Sequence, residues 1–308
     1  MRIAQKLYEG VSIGSERTAL ITYMRTDSYH VSEQSVKATR AFIEKTYGGK
    51  FLSKNVNVYT KKSKLAQEAH EAIRPVDVSI RPDMIKKQID SDEFALYELI
   101  WKRTAATQMA DAEFDAMTIE IAGISKNAAY MFKATGQKVI FSGFISLYFE
   151  SKDDSGETAS DVLDNILPNV QEKDVVELKN LSPDQHFTQP PGRFTEATLV
   201  KELEENGIGR PSTYAPIIST IIDRGYVVKD AKAFRPMDVG VVVNNLLEKF
   251  FPTIVDIDFT SNIEKQLDEI AIGDKKLQEV LETFYSPFEL ILEAPRSRGF
   301  LVIFDNVL

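Results

Sequence analysis

The chain has 308 residues, of which 43% are hydrophobic, 10% aromatic and 27% charged, a composition that argues against wholesale disorder and suggests two or three domains. It contains no cysteine and only three histidines, which excludes a disulfide scaffold, a Cys-ligated zinc site and a thiol nucleophile within it and disfavours a His-rich metal site. Its 37 basic and 46 acidic side chains give a net charge of −9, which by itself disfavours nucleic acid as a partner.

The charge is unevenly spread. Residues 1–110 carry 18 basic and 13 acidic side chains, residues 111–186 carry 6 and 14, and residues 187–308 carry 13 and 19. Separate units with different tasks are expected from such asymmetry. The longest apolar runs fall well short of the roughly 20 residues that cross a bilayer. With no basic-then-apolar leader, the expectation is a soluble, intracellular, cytoplasmic protein without a membrane partner.

In chain order, Ile3 and Leu7 at i, i+4 predict a helix already under way near residue 2, with no cap before it. Gly14-Ser15 reads as a turn, and Ala19 to Met24 as a buried strand. Ser32 caps a predicted helix that runs to about Tyr47 and stops at Gly48-Gly49. A basic loop with Lys61, Lys62 and Lys64 follows. Asp92 to about Met109 is a further helix, with Leu96, Leu99, Ile100 and Arg103 at helical spacing. From 112 the period changes to two: Met117, Ile119 and Ile121 alternate, as do Tyr130 and Phe132. Val139–Ile145 and Val175–Leu178 are additional strand candidates, separated by an acidic Gly/Ser-containing loop from Ser151 to about Asp164.

Pro190-Pro191-Gly192 signals a boundary. Beyond it Thr195 caps a helix carrying Leu199, Val200 and Leu203, which ends at Asn206-Gly207. Ser212 is read as the cap of a second helix with Ile217, Ile218, Ile221 and Ile222, closed by Asp223-Arg224-Gly225. A short hairpin around Tyr226–Arg235 completes a winged-helix pattern. Three more helices are expected, around Val242–Phe250, Ile263–Ile270 and Leu277–Phe284.

Three constellations carry chemistry. In Ile21-Thr22-Tyr23-Met24-Arg25-Thr26-Asp27-Ser28, strand alternation would put Tyr23 and Arg25 on one face. A guanidinium there could clamp a phosphate and stabilise a phenolate for attack on phosphorus; the plainer reading is a strand-end tyrosine that simply packs. In Gln67-Glu68-Ala69-His70-Glu71-Ala72-Ile73-Arg74-Pro75, His70 could bond a phosphate or shuttle a proton; taken alone, it reads as a surface-loop histidine. In Gly207-Ile208-Gly209-Arg210-Pro211-Ser212-Thr213-Tyr214, free N–H groups, two hydroxyls and Arg210 compose an anion cradle. Plain capping explains the glycine and serine but leaves Arg210 without a purpose.

Together these blocks resemble the type IA DNA topoisomerases. Tyr23-Met24-Arg25-Thr26-Asp27-Ser28 is similar to the family's active-site block, and Met24 points to the bacterial topoisomerase I branch, since the topoisomerase III branch usually has Pro there and reverse gyrase often His. Glu68 to Pro75, and the stretch from His186-Phe187-Thr188 through Arg224-Gly225-Tyr226, match in the same order, so the resemblance covers roughly residues 1–294. It implies an α+β multidomain protein, mainly helical with winged-helix or helix-turn-helix character plus a β-rich hinge arm, forming part of a toroid. Residues 1–110 would bear the nucleophile, 111–185 would belong to the hinge arm and 186–294 to the base that grips single-stranded DNA.

The resemblance also implies roles. Tyr23 would attack a single-strand phosphodiester and form a 5′-phosphotyrosine link. Arg25 would position the phosphate and stabilise its developing charge, and His70 would contact it or assist proton movement. Arg210, Ser212, Thr213 and Arg224 would hold the DNA backbone without reading sequence. The partner would be single-stranded or negatively supercoiled DNA, at the nucleoid. The family's Toprim domain, with its acidic Mg²⁺ site and general-acid Glu, and its Cys₄ zinc modules have no counterpart in these residues. The expectation is therefore a fragment, inactive in relaxation by itself, whose other partner is the Toprim part of its parent chain and whose Mg²⁺ lies outside it. Residues 295–308 match no pattern of the family. Two rivals differ in class. A non-catalytic winged-helix DNA-binding or scaffold protein would explain Arg210 to Arg224 but not the Tyr23 and His70 blocks. A tyrosine recombinase would carry its tyrosine near the C-terminus.

Overall fold

The structure is a computed structural model, described here for residues 1–59, 70–124, 128–148 and 167–297. The acidic loop 151–164, the basic residues Lys61, Lys62 and Lys64, and Gln67 to Ala69 lie outside the described residues, as does the tail beyond 297. The chain divides into two compact units, Met1–Pro190 and Pro191 onward. Among the described residues no helix is long and apolar enough to cross a membrane.

The first unit opens with helix α1 (Arg2–Glu9) and a small antiparallel hairpin, β1 (Val11–Ile13) and β2 (Glu16–Thr18), turning at Gly14. Helix α2 (Glu33–Tyr47) starts after Ser32 and stops at Gly48, as the breakers predict. A one-turn helix α3 (Pro82–Ile85) precedes α4 (Ser91–Thr107). Helix α4 begins with a capping box: the Asp90 side chain accepts from the backbone of Glu93, and the Glu93 side chain accepts from the backbone of Asp90.

The buried stripe of α4 is Glu93, Tyr97, Trp101 and Ala105. This differs from the expected face, since Leu99 is exposed while Leu96 and Ile100 only pack against the margin. The reason is polar as much as apolar. The Tyr97 hydroxyl donates to the Ile80 carbonyl at 2.6 Å, and Trp101 Nε1 donates to the Val78 carbonyl at 2.8 Å. Each ring is thus buried with its polar atom satisfied. Leu7, Leu20, Ile21, Met24 and Ile85 close this core. Fully burying such a side chain stabilises by about 1.5–3 kcal/mol.

Ala19–Met24 is not a strand. Ile21 makes a single isolated bridge to Pro75, and bends follow at Thr22, Met24 and Arg25. The segment is apolar because it is core, and its backbone bonds go to non-ladder partners. Leu20 N–H donates to the Leu7 carbonyl, Thr22 N–H to the Arg74 carbonyl, and the Leu20 carbonyl accepts from Val76.

The β-rich segment is one long antiparallel hairpin, β3 (Glu113–Ile124) with β4 (Ala129–Phe141), in a two-stranded sheet. Its root is anchored: Ala110 N–H donates to the Phe51 carbonyl, Phe144 N–H to the Ala110 carbonyl, and the Phe51 and Phe141 rings lie 5.0 Å apart. Away from the root both faces are open, with Ile124, Tyr130 and Met131 exposed. The expected strand Val139–Ile145 ends at Phe141 and becomes a 3₁₀ turn over Gly143–Ser146. Val175–Leu178 forms no strand: Val175 and Leu178 face solvent, with no partner ladder to stabilise extended pairing.

The second unit runs α5 (Glu196–Glu205), α6 (Tyr214–Asp223), β5 (Val227–Asp230), β6 (Ala233–Pro236), α7 (Asp238–Phe250), α8 (Ile257–Ala271) and α9 (Leu277–Ser297). Thr195 caps α5 by accepting from Thr198 N–H. β5 and β6 pair as a hairpin, and Phe194 and Thr195 extend it through a bond from Phe234 N–H and a bridge to Ala233. Helix α7 crosses this hairpin at Gly240, where a Cβ would sit 2.2 Å from the Tyr226 carbonyl oxygen, so only glycine allows the approach. Ile218, Phe234, Phe251 and Val280 are buried.

Candidate active site and nucleic-acid interface

In the first unit, Tyr23 and His70 come together. Their rings lie 5.2 Å apart and tilted by 38°, although 47 positions separate them in sequence. Tyr8 of α1 also meets Tyr23, edge-on at 5.4 Å. Tyr23 and His70 are half-buried, whereas Arg25 is exposed. Alternation along a strand does not align Tyr23 with Arg25, because the chain bends between them.

What places His70 beside Tyr23 is the segment that follows it. The Thr22 hydroxyl donates to the Ala72 carbonyl at 2.7 Å and accepts from Arg74 N–H at 3.0 Å. Ala72 N–H donates to the His30 carbonyl, and Glu71 Oε1 accepts from Ser32 N–H at 3.1 Å. Glu71 Oε2 pairs with the Arg74 guanidinium, whose Nε–H donates to it at 3.0 Å while Nη1 donates to the Pro75 carbonyl. Burial pushes the Glu71 carboxyl up, but bonds from Ser32 and Arg74 outweigh it and hold Glu71 below the usual glutamate range. Residues 71–76 therefore splice the start of the Tyr23 segment to the approach of α2.

In the second unit, Gly209 has φ +79°. A Cβ there would press on Thr213 Oγ1 and Tyr214 Cε1, both at 3.1 Å. The loop is tied to α8. Gly209 N–H donates to Glu264 Oε1 at 3.2 Å, Arg210 Nη2 pairs with Asp268 Oδ2 at 2.7 Å, and Arg210 Nη1 lies 3.3 Å from Glu264 Oε2. Burial works against the Arg210 charge, but the Asp268 bond and the charges of Glu264 and Asp268 prevail and raise its pKa.

The N–H groups expected to be free are mostly used inside the loop. Arg210 N–H donates to Thr213 Oγ1, and Thr213 and Tyr214 N–H both donate to the Arg210 carbonyl. The helix cap is Thr213 rather than Ser212, one residue later than predicted, because Pro211 and Ser212 are spent in the turn. Ser212 and Thr213 are exposed, and so is Arg224, which stands at the far end of α6.

A family profile described as DNA topoisomerase matches residues 1–282. The chain belongs to the DNA topoisomerase family. Among its relatives, a DNA topoisomerase 1 of Rickettsia felis is 46% identical over 307 residues, covering 100% of this chain and 39% of the relative. One of Campylobacter jejuni is 44% identical over 298 residues, covering 97% of this chain and 41% of the relative. A solved structure of full-length topoisomerase I from Thermotoga maritima superposes with a TM-score of 0.72 at 36% identity, covering 94% of this chain and 45% of that one. The chain thus spans about two fifths of the length of the curated relatives it matches. These likenesses place it with the bacterial topoisomerase I proteins.

Reading the topoisomerase motifs alone misses several residues that shape the two sites. Glu71 and Arg74 lie inside the His70 block, and their i, i+3 spacing is a visible ion-pair signal. Glu264 and Asp268, at i, i+4 on α8, lie 54 and 58 positions from Arg210, too far for local pattern to connect them. Tyr8 carries no local signal at all.

The family resemblance implies Mg²⁺. The described residues contain no group of three or more metal-ligating side chains. Beside Tyr23, both oxygens of Glu71 are already engaged by Ser32 and Arg74. These residues do not fit the ion.

Proposed function

We propose that this chain supplies the nucleophile and part of the single-strand grip of a type IA DNA topoisomerase. The juxtaposition of Tyr23 with His70, beside an exposed Arg25, carries the reading. In the proposed step the Tyr23 Oη attacks a backbone phosphorus and forms a phosphotyrosine ester. The P–O3′ bond breaks, the phenolic proton departs, and the leaving 3′-oxygen gains a proton to become a hydroxyl. One ester replaces another, so resealing needs no ATP. Arg25 is free to approach the phosphate and stabilise its developing charge. His70 lies close enough to the phenol to contact the same phosphate or assist proton movement.

The second unit supplies backbone contacts. Its order of helix, turn, helix and hairpin supports a winged-helix reading, with Arg210, Ser212, Thr213 and Arg224 as sequence-independent phosphate partners. A winged-helix scaffold without chemistry would account for this unit alone and leaves the Tyr23–His70 contact without purpose. The substrate is single-stranded or negatively supercoiled DNA, which places the protein in the cytoplasm at the nucleoid. Relaxation is proposed to need the three fifths of the relatives' length that this chain does not span, including the Mg²⁺ site.

The test is covalent capture. With the upstream part of a relative supplied, joined to this chain or mixed with it, a 3′-end-labelled single strand becomes attached to protein and a 5′-labelled one is released. Tyr23→Phe abolishes the adduct; an adduct that survives removes Tyr23 from its role. The chain alone leaves supercoiled DNA unrelaxed in the presence of Mg²⁺, and relaxation by the chain alone refutes that part of the proposal.

A further inference from the structure

We propose that Glu264 and Asp268 are positioning residues for Arg210, holding its guanidinium and the Gly209 turn in the geometry that receives a DNA phosphate. The inference rests on the proposed role of the second unit as a single-strand grip.

Two acidic side chains at a DNA-binding loop are unexpected, because carboxylates repel a polyphosphate. Their geometry supplies a reason. Glu264 acts with both oxygens at once: Oε1 accepts from Gly209 N–H and Oε2 faces Arg210 Nη1. Asp268, one helical turn further along α8, takes Nη2 of the same guanidinium at 2.7 Å. The Gly209 carbonyl accepts from Nη1 as well, at 2.8 Å. The side chain is therefore bound at both terminal nitrogens, with its stem folded back on its own loop. An arginine held this way has lost its rotamer freedom before any ligand arrives.

The guanidinium nonetheless keeps a surface. The Arg210 side chain is 37% exposed, against 24% for Glu264 and 28% for Asp268. The cation is thus more exposed than the carboxylates that hold it, in a loop that also carries the exposed residues Ser212 and Thr213. Of the five N–H donors of the planar fork, the four on Nη1 and Nη2 face the two carboxylates and the carbonyls of Gly209 and Glu264, which leaves Nε–H for a phosphate oxygen.

The experiment measures binding of a fluorescent oligothymidylate to the 308-residue chain by anisotropy. Glu264→Gln and Asp268→Asn each remove a negative charge, which by simple attraction tightens binding. Positioning predicts the reverse, a loss of roughly tenfold, the change carried by one charge-assisted hydrogen bond. In an Arg210→Gln background the same substitutions cost nothing further, because the group they orient is gone. Arg210→Lys keeps the charge but cannot bridge two carboxylates with a planar fork, so it binds as weakly as Arg210→Gln. It also leaves no carboxylate facing an uncharged partner, which keeps the test open if the acidic variants fold poorly.

Tightened or unchanged binding in the acidic variants, additive losses in the double variants, or native affinity in Arg210→Lys overturns the positioning role while leaving the grip intact. Failure of the unaltered chain to bind the oligonucleotide at low salt overturns the grip reading, and this inference with it.

Discussion

The two motif-bearing regions each contain a pair of arginines, and in each the pair is divided in the same way. Around Tyr23, Arg74 is nearly buried and bound to Glu71, while Arg25 is exposed. Around α6, Arg210 is bound to Glu264 and Asp268, while Arg224 is exposed at the helix end. One arginine of each pair fixes a loop and the other faces solvent. The lesson is that a basic residue in a phosphate-handling motif is not automatically a phosphate ligand. Its carboxylate partners decide how much of its charge remains to be used.

The largest effect should separate the members of the first pair. Arg74 is 12% exposed at its side chain, and its loss strips Glu71 of its main partner and the Pro75 carbonyl of a donor. Leaving a largely buried charge unpaired costs about 3 kcal/mol. Arg25→Ala, at an exposed site, should change stability by no more than about 0.5 kcal/mol. The chain has one tryptophan, Trp101, in the core of the first unit. Its fluorescence during urea unfolding therefore reports that unit alone. Equal midpoints for Arg74→Ala and Arg25→Ala would erase the distinction.

A smaller effect tests the carboxylate side of the same contact. Glu71 is held below its ordinary pKa in the folded protein, so it contributes stability that is complete above the unfolded value near 4.5 and fades as pH falls through the lower folded value. Lowering the pH from 6 toward 3 should weaken the first unit, and Glu71→Gln should remove about 1 kcal/mol of that dependence. The measurement is the urea midpoint of the variant and parent across this range. Parallel pH profiles would show that Glu71 carries none of the acid sensitivity.

The same contrast explains what could be read from sequence. Helix α2 is legible because Ser32 and Gly48 mark its ends locally, α4 because apolar residues recur along it at helical spacing, and the β3–β4 hairpin because Met117, Ile119 and Ile121 alternate. The geometry of the block at Tyr23 is not legible from its sequence. Its apolar run resembles a strand, yet its hydrogen bonds run to Leu7 and Arg74, which local pattern cannot supply. Val175–Leu178 failed for the converse reason, since β-branched residues alone do not provide a partner strand. The buried face of α4 is not legible from apolar spacing alone, because the carbonyls of Ile80 and Val78 help to place Tyr97 and Trp101. Arg210 was the clearest gap: capping left it unexplained because its carboxylates sit more than fifty positions away.

The smallest effect on folding belongs to Arg224, and there binding becomes the sharper readout. Arg224 caps α6 with its backbone, which any residue can do, so Arg224→Gln should leave helix content and unfolding within about 0.5 kcal/mol of the parent. If its exposed guanidinium meets a phosphate, the variant releases fewer counterions on binding single-stranded DNA. The slope of log affinity against log salt should then become shallower by about 0.7, the value for one phosphate contact on a single strand. Affinity should fall by a similar factor on every sequence, since backbone contacts do not read bases. Arg210 stands on different ground, with its charge already balanced by two carboxylates, so Arg210→Gln should weaken binding with a smaller change of slope. A shared slope change for both variants would mean that Glu264 and Asp268 leave the Arg210 charge fully available, and that the division between loop-fixing and solvent-facing arginines does not extend to DNA.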